Sequence, residues 1–131
     1  TTSGRDSLDP FLHNSLSSHL DVFSKIITYE DVRKHKPFPD AYKLALKLSK
    51  HADVNCLAIE DSSIGVEAVK AANINCLLTL PPWSNSNQKI NKKANACVNC
   101  LGTSNNPSKL IYGKQLISNI VNFEYLANII N

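Results

Sequence analysis

The 131-residue sequence contains no methionine, one tryptophan and only four glycines. No apolar run approaches the roughly 20 residues of a membrane-spanning helix, so no membrane partner is expected. No secretory leader is expected either, and the sequence shows no internal repeat and no flexible interdomain linker. Neither sign of charge dominates: 14 Lys and Arg stand against 11 Asp and Glu, for a net charge of +3. The lysines are scattered, and their one cluster, Lys89 with Lys92 and Lys93, falls in a polar stretch. That pattern fits solvated surface rather than a nucleic-acid face, so no nucleic-acid partner is expected. The four cysteines are Cys56, Cys76, Cys97 and Cys100. Cys97 and Cys100 have CxxC spacing, but no second pair completes a structural zinc site. They sit where a short strand runs into a loop, not ahead of a helix, which favours packing over redox chemistry. Cys56 and Cys76 open apolar strands, where free cysteine behaves as a small hydrophobe. Reduced thiols are expected.

What is present is ordinary globular material, 43% hydrophobic and 19% charged, enough for one small domain with its own core. Leu8, Phe11, Leu12, Leu16 and Leu20 recur at helical spacing, with Asp6 or Ser7 as N-cap. Strands are expected near 23–28, 55–60 and 75–80, with helices near 40–50 and 64–72 between them. A short strand follows near 96–98. The stretch 102–119 reads as loop, with Leu110-Ile-Tyr112 and Leu116-Ile117 as apolar anchors. A terminal helix runs from about Phe123 to Ile130. Strands alternating with helices imply right-handed crossovers, hence an α/β fold with a parallel sheet and flanking helices.

The most informative stretch is Cys56-Leu-Ala-Ile-Glu-Asp-Ser-Ser-Ile-Gly65 and the helix after it. A buried strand ends in two adjacent carboxylates, Glu60 and Asp61. In open α/β sheets, ligands bind beyond the carboxyl ends of the strands. Paired carboxylates there suit a hard cation such as Mg²⁺. The helix N-terminus with Ser62 and Ser63 suits a phosphate. Taken alone, Glu-Asp-Ser also fits an acidic cap on an ordinary helix. Upstream, Lys36-Pro-Phe-Pro-Asp40 precedes a helix. Pro37 and Pro39 exclude helix before Asp40 and stiffen the segment that carries Lys36. So held, Lys36 could bridge a phosphate and a nucleophilic carboxylate; its plainer reading is a solvated surface lysine.

Lys-Pro-x-Pro-Asp, a helix, then a strand with Glu-Asp-Ser-x-x-Gly-x-x-Ala-x-x-Ala resembles the haloacid dehalogenase (HAD) superfamily. The similarity is greatest to its CbbY-like sugar-phosphate phosphatases. Thr1-Thr-Ser-Gly4 resembles the family's second motif, Phe23 to Ile27 the strand after it, Cys76 to Leu80 the last core strand, and Asn122 to Ile130 the terminal helix. The resemblance implies a Rossmannoid HAD-like core and phosphoryl transfer through an aspartyl phosphate. It implies Thr1, with the amides of Thr2 and Ser3, as phosphate-binding groups, and Lys36 as the lysine that neutralises charge. It implies Asp61 as a ligand of Mg²⁺, Glu60 as a second or water-mediated ligand, and Ser62 and Ser63 beside the metal. A small phosphorylated sugar is the implied substrate, and the cytoplasm or a plastid stroma the expected compartment.

The family's Asp-x-Asp nucleophile motif is missing: no two of the seven aspartates stand two apart. The family's first strand and cap domain are missing too. Residues 1–131 are therefore expected to be the C-terminal portion of a HAD-like core domain. Alone, they are expected to be marginally stable and inactive, with the missing N-terminal half of the same enzyme as partner. The alternative is a non-catalytic α/β binding or partner module that retains a phosphate- and metal-binding remnant.

Overall fold

The computed structural model describes residues 1–49, 56–80 and 92–131. The polar loop expected at 81–88, Lys89, and the outer ends of the helix near 40–50 and the strand near 55–60 lie outside these residues.

Four strands form one sheet in the order β1-β2-β3-β4, namely β1 (Leu57–Glu60), β2 (Asn75–Thr79), β3 (Ala96–Val98) and β4 (Leu110–Tyr112). β1, β2 and β3 are parallel, with Leu57 opposite Asn75 and Leu77 opposite Ala96. The chain has the expected α/β architecture, but its sheet is mixed. β4 pairs antiparallel with β3, through Cys97–Tyr112 and Val98–Leu110, with a register irregularity between them. That strand falls in the stretch expected as loop. It is three residues long and has no pattern of its own. It forms by adding to an edge whose residues are buried.

Side-chain alternation along the strands makes two cores. Cys76, Leu78 and Cys97 face helix α3 (Ser63–Ala71) and pack with Val66, Val69, Ala72 and Ile74. Leu77, Ala96 and Val98 face the opposite way and pack with Tyr125 and Ile129 of helix α4 (Phe123–Ile130). The sheet is thus sandwiched between helices, as period-2 burial on both faces requires. Helix α2 (Asp40–Leu48) joins the α3 side through Tyr42 and Leu46.

Helices α3 and α4 begin at side-chain caps. The Ser62 hydroxyl caps α3 by accepting from the Gly65 amide at 3.2 Å. α3 ends where Asn73 turns left-handed, at φ 58°. There the Ile74 amide reaches back to the Val69 carbonyl and the Asn73 amide to that of Lys70, a Schellman closure. The Asn122 side chain caps α4 by accepting from the Tyr125 amide at 2.9 Å.

The N-terminal third departs from expectation. Helix α1 (Arg5–Leu16) starts after Gly4 rather than at Asp6 or Ser7, and tightens into a 3₁₀ stretch over Ser17–Val22. Its apolar stripe covers no core: none of its residues is buried and Phe11 is 55% exposed. The strand expected near 23–28 does not form. That segment meets Thr1–Ser3 through two bonds only, Thr1 nitrogen to the Ile27 carbonyl and Tyr29 amide to the Ser3 carbonyl, too few for a ladder. Among the described residues no helix is long and apolar enough to cross a membrane.

Leu77 lies fully buried between the sheet and α4. Leu77→Ala should cost about 2–5 kcal/mol, by lost transfer energy and the cavity left behind. Circular dichroism melting should show a large drop in midpoint or loss of the transition. An unchanged midpoint would contradict the packing described.

Candidate functional site

Two of the expected site residues, Glu60 and Asp61, lie at the carboxyl end of β1. β1 delivers Glu60 at its last position, and the chain turns through Asp61 into α3. Glu60 is 6% exposed, one of few polar residues in the interior, and an isolated carboxylate there would be costly. It is not isolated. Lys36 forms an ion pair with Glu60 Oε1, its side chain 17% exposed against 5% for Glu60. The Tyr42 hydroxyl donates to the same oxygen. The Lys36 ammonium also stands 5.4 Å from the centre of the Tyr42 ring. Gly65, in the first turn of α3, lies directly over the carboxylate. A Cβ at Gly65 would stand 2.9 Å from Glu60 Oε1 and overlap the rest of the group. Glycine is needed here for close approach, not for an unusual dihedral.

Lys36 reaches Glu60 because its loop is pinned at both ends. His35 stacks on Tyr29 with ring centroids 3.8 Å apart, and its carbonyl accepts from the Phe38 amide at 2.9 Å. The Lys36–Pro37 peptide is cis. Asp40 then opens α2 within two residues of Pro37–Pro39, as both residue types favour. Upstream, Tyr29–Asp31 is a short 3₁₀ turn in a capping box: the Thr28 amide and hydroxyl donate to the Asp31 carboxylate at 2.7 and 2.8 Å. Those bonds hold the Asp31 carboxyl below its usual pKa. The Glu30 carboxylate accepts from the Arg5 amide at 3.0 Å, tying the turn to the Thr1–Gly4 segment.

The segment beginning at Thr1 comes to the same place. Burial lowers the pKa of the Thr1 amino group. The nearby Lys36 charge lowers it further, while Glu60 and Asp31 oppose. The backbone hydrogen bonds of this segment run to Ile27 and Tyr29, which places Thr1–Ser3 beside the residues that lead into the Lys36 loop. The Thr1 hydroxyl accepts from the Ser3 amide at 3.1 Å. Thr1, Thr2 and Ser3 are all exposed, as are Asp61 and Ser63, while Ser62 is half-buried as the cap of α3.

The carboxylates differ in what they can hold. Glu60 is engaged by Lys36 and Tyr42 beneath α3, whereas Asp61 faces solvent. Hard carboxylate oxygens suit Mg²⁺, but among the described residues no group of three or more His, Cys, Asp or Glu gathers in one place. The donors fit the ion in kind; in number they leave most of an octahedron to water. Tyr42 and Gly65 were not singled out as site residues from sequence. The glycine two residues after the serine pair was a usable signal. A tyrosine on the inner face of a helix was not, because most are core.

The haloacid dehalogenase-like hydrolase family model matches residues 1–79. The chain belongs to that family. Within it the chain is CbbY-like. Protein CbbY of Rhodobacter capsulatus is 34% identical over 80 residues, covering 60% of this chain and 35% of that protein. A CBBY-like protein of Arabidopsis thaliana is 35% identical over 78 residues, covering 60% of this chain and 24% of that one. The chain thus spans about a third or less of the length of these curated relatives. A Thermotoga maritima crystal structure assigned as a beta-phosphoglucomutase superposes with a TM-score of 0.51 at 26% identity, over 66% of this chain and 39% of that one. The matched segment, residues 1–79, includes Thr1, Lys36, Glu60 and Asp61.

Burial pushes the Cys97 thiol up to about 11 and the Cys76 thiol up to about 12, so both are neutral packing groups.

Gly65→Ala should displace the Glu60 carboxylate, and Glu60→Ala should leave the Lys36 ammonium in its pocket without a counter-charge. Breaking a buried pair from one side costs about 3 kcal/mol. Both variants should melt at clearly lower temperature than wild type, and Gly65→Ser no better than Gly65→Ala. Wild-type melting of Gly65→Ala would show that the helix does not press on Glu60.

Proposed function

We propose that these residues form the threonine, lysine and metal-ligand part of a Mg²⁺-dependent, phosphoaspartyl-type phosphatase acting on a small sugar phosphate. The observation that carries this reading is the Lys36 ammonium paired to Glu60 at the carboxyl end of β1, one residue before Asp61 and the N-terminus of α3. A fixed cation, an exposed carboxylate and the N-terminus of α3 stand together at the carboxyl end of β1, an arrangement that suits a phosphoryl group.

Lys36 acts as a fixed positive charge. It neutralises the phosphoryl oxygens and the attacking carboxylate, and it needs no reorganisation because Glu60 already orients it. Thr1, with the amides of Thr2 and Ser3, hydrogen-bonds the transferring oxygens. Asp61 would hold Mg²⁺, with Glu60 reaching it at most through water and Ser62 and Ser63 alongside. Bound there, Mg²⁺ screens the phosphate from an incoming carboxylate. The attacking aspartate is not among the 131 residues, which contain no Asp-x-Asp pair. Alone, the chain should therefore hydrolyse no phosphate ester, and the N-terminal half of the same enzyme is the partner that would supply that group. The same lack of a nucleophile favours the second reading, a non-catalytic module that keeps the anion and cation sites.

Calorimetric titration tests the site under either reading. Mg²⁺ should bind weakly, and Asp61→Asn should abolish that binding; equal affinity would place the ion elsewhere. Inorganic phosphate should bind about tenfold more weakly to Lys36→Met, since one charge-assisted contact is lost. Adding an N-terminal half that carries Asp-x-Asp separates the readings: Mg²⁺-dependent turnover supports the enzyme, and its absence the module.

A further inference from the structure

We propose that Tyr42 is a positioning residue for Lys36, acting through both its hydroxyl and its ring. The inference rests on the reading of Lys36 as the phosphate-neutralising lysine and extends it to the group that aims that lysine.

Lysine is a poor fixed charge by itself. Its ammonium rotates on four methylenes and presents three equivalent donors. A single carboxylate fixes one donor and leaves the stem free. Here two further constraints come from one side chain. The Tyr42 hydroxyl donates to Glu60 Oε1, the oxygen that Lys36 also uses. This settles which face of that oxygen the ammonium can take. The ring lies beneath the ammonium, 5.4 Å from its centre, and attracts the cation by its quadrupole. The contacts converge because Tyr42 stands in the first turn of α2, directly after the Lys36–Asp40 segment. The helix that receives the proline-locked loop thus also supplies its stop. Gly65 closes the far side of the carboxylate, so Glu60 cannot swing away from Tyr42 without meeting α3.

The plain alternative is a core tyrosine. Tyr42 does pack against the α3-side core beside Leu46. Burial explains the ring but not the hydroxyl, which meets a carboxylate already paired to a lysine. Tyr42→Phe keeps the packing and removes the donor; Tyr42→Leu removes the ring as well.

The test uses the full chain with ¹³C-labelled lysine, the Lys36 ε-methylene signal being assigned by its loss in Lys36→Met. In wild type that signal should be displaced upfield from those of the solvated lysines by the Tyr42 ring. In Tyr42→Phe it should stay displaced but move, while circular dichroism is unchanged. In Tyr42→Leu it should fall among the solvated lysines. Inorganic phosphate affinity should drop about threefold in Tyr42→Phe and approach that of Lys36→Met in Tyr42→Leu. A Lys36 signal identical in wild type and Tyr42→Leu overturns the proposal. So does a signal and phosphate affinity in Tyr42→Phe equal to wild type while Lys36→Met binds more weakly. If Lys36→Met binds phosphate as wild type does, the phosphate reading fails instead, and the methylene shifts alone decide the positioning role.

Discussion

A buried carboxylate must find a cation, and most of what is organised in this chain follows from that requirement at Glu60. β1 ends there because the sheet's carboxyl edge is where the polar group can be met from a loop. α3 begins there with a glycine in its first turn because any side chain would occupy the carboxylate's place. The Lys36 loop is stiff, and its two prolines limit the ways the ammonium can leave. The two cores, one on each face of the sheet, hold these pieces in register but choose none of them.

The same requirement separates the roles of neighbouring carboxylates. Glu60 and Asp61 are adjacent in sequence, yet strand alternation and the turn into α3 send one inward and the other to solvent. A buried, paired carboxylate orients a lysine; an exposed one beside a helix N-terminus remains open to a hydrated ion. Adjacency alone suggests a two-carboxylate metal site. In this structure Glu60 is engaged by Lys36 and Tyr42, while Asp61 is exposed. Under the proposed phosphatase reading, that division would let positive charge from side chain and metal converge on a phosphate rather than cancel against a second anion.

Much of the fold was legible because its signals are local. The apolar runs of β1 and β2, the serine pair ahead of α3 and the prolines ahead of α2 each lie in or beside the element they define. Lys36 was legible as a rigidly placed lysine because proline restricts its own and the preceding residue's backbone. The remainder depends on partners distant in sequence. β4 exists because Val98 offers an edge to Leu110, which no window around 110–112 reveals. The expected strand near 23–28 has the right residues but only Thr1–Ser3 alongside. α1 has a proper stripe and nothing among the described residues to bury it. Tyr42 carried no signal, since aromatic residues at helical spacing are usually packing, and this one is packing as well.

The central claim is that Glu60 holds the Lys36 ammonium in a fixed place. The most direct measurement is the ¹H–¹⁵N spectrum of the lysine ammonium groups in the intact chain. Solvated lysines exchange their protons too fast to be seen, whereas a lysine held in a partly buried pair exchanges slowly. The account predicts a resolved Lys36 ammonium cross-peak in wild type that disappears in Glu60→Gln. A Lys36 signal as weak as those of the surface lysines, or one unchanged by Glu60→Gln, would contradict it.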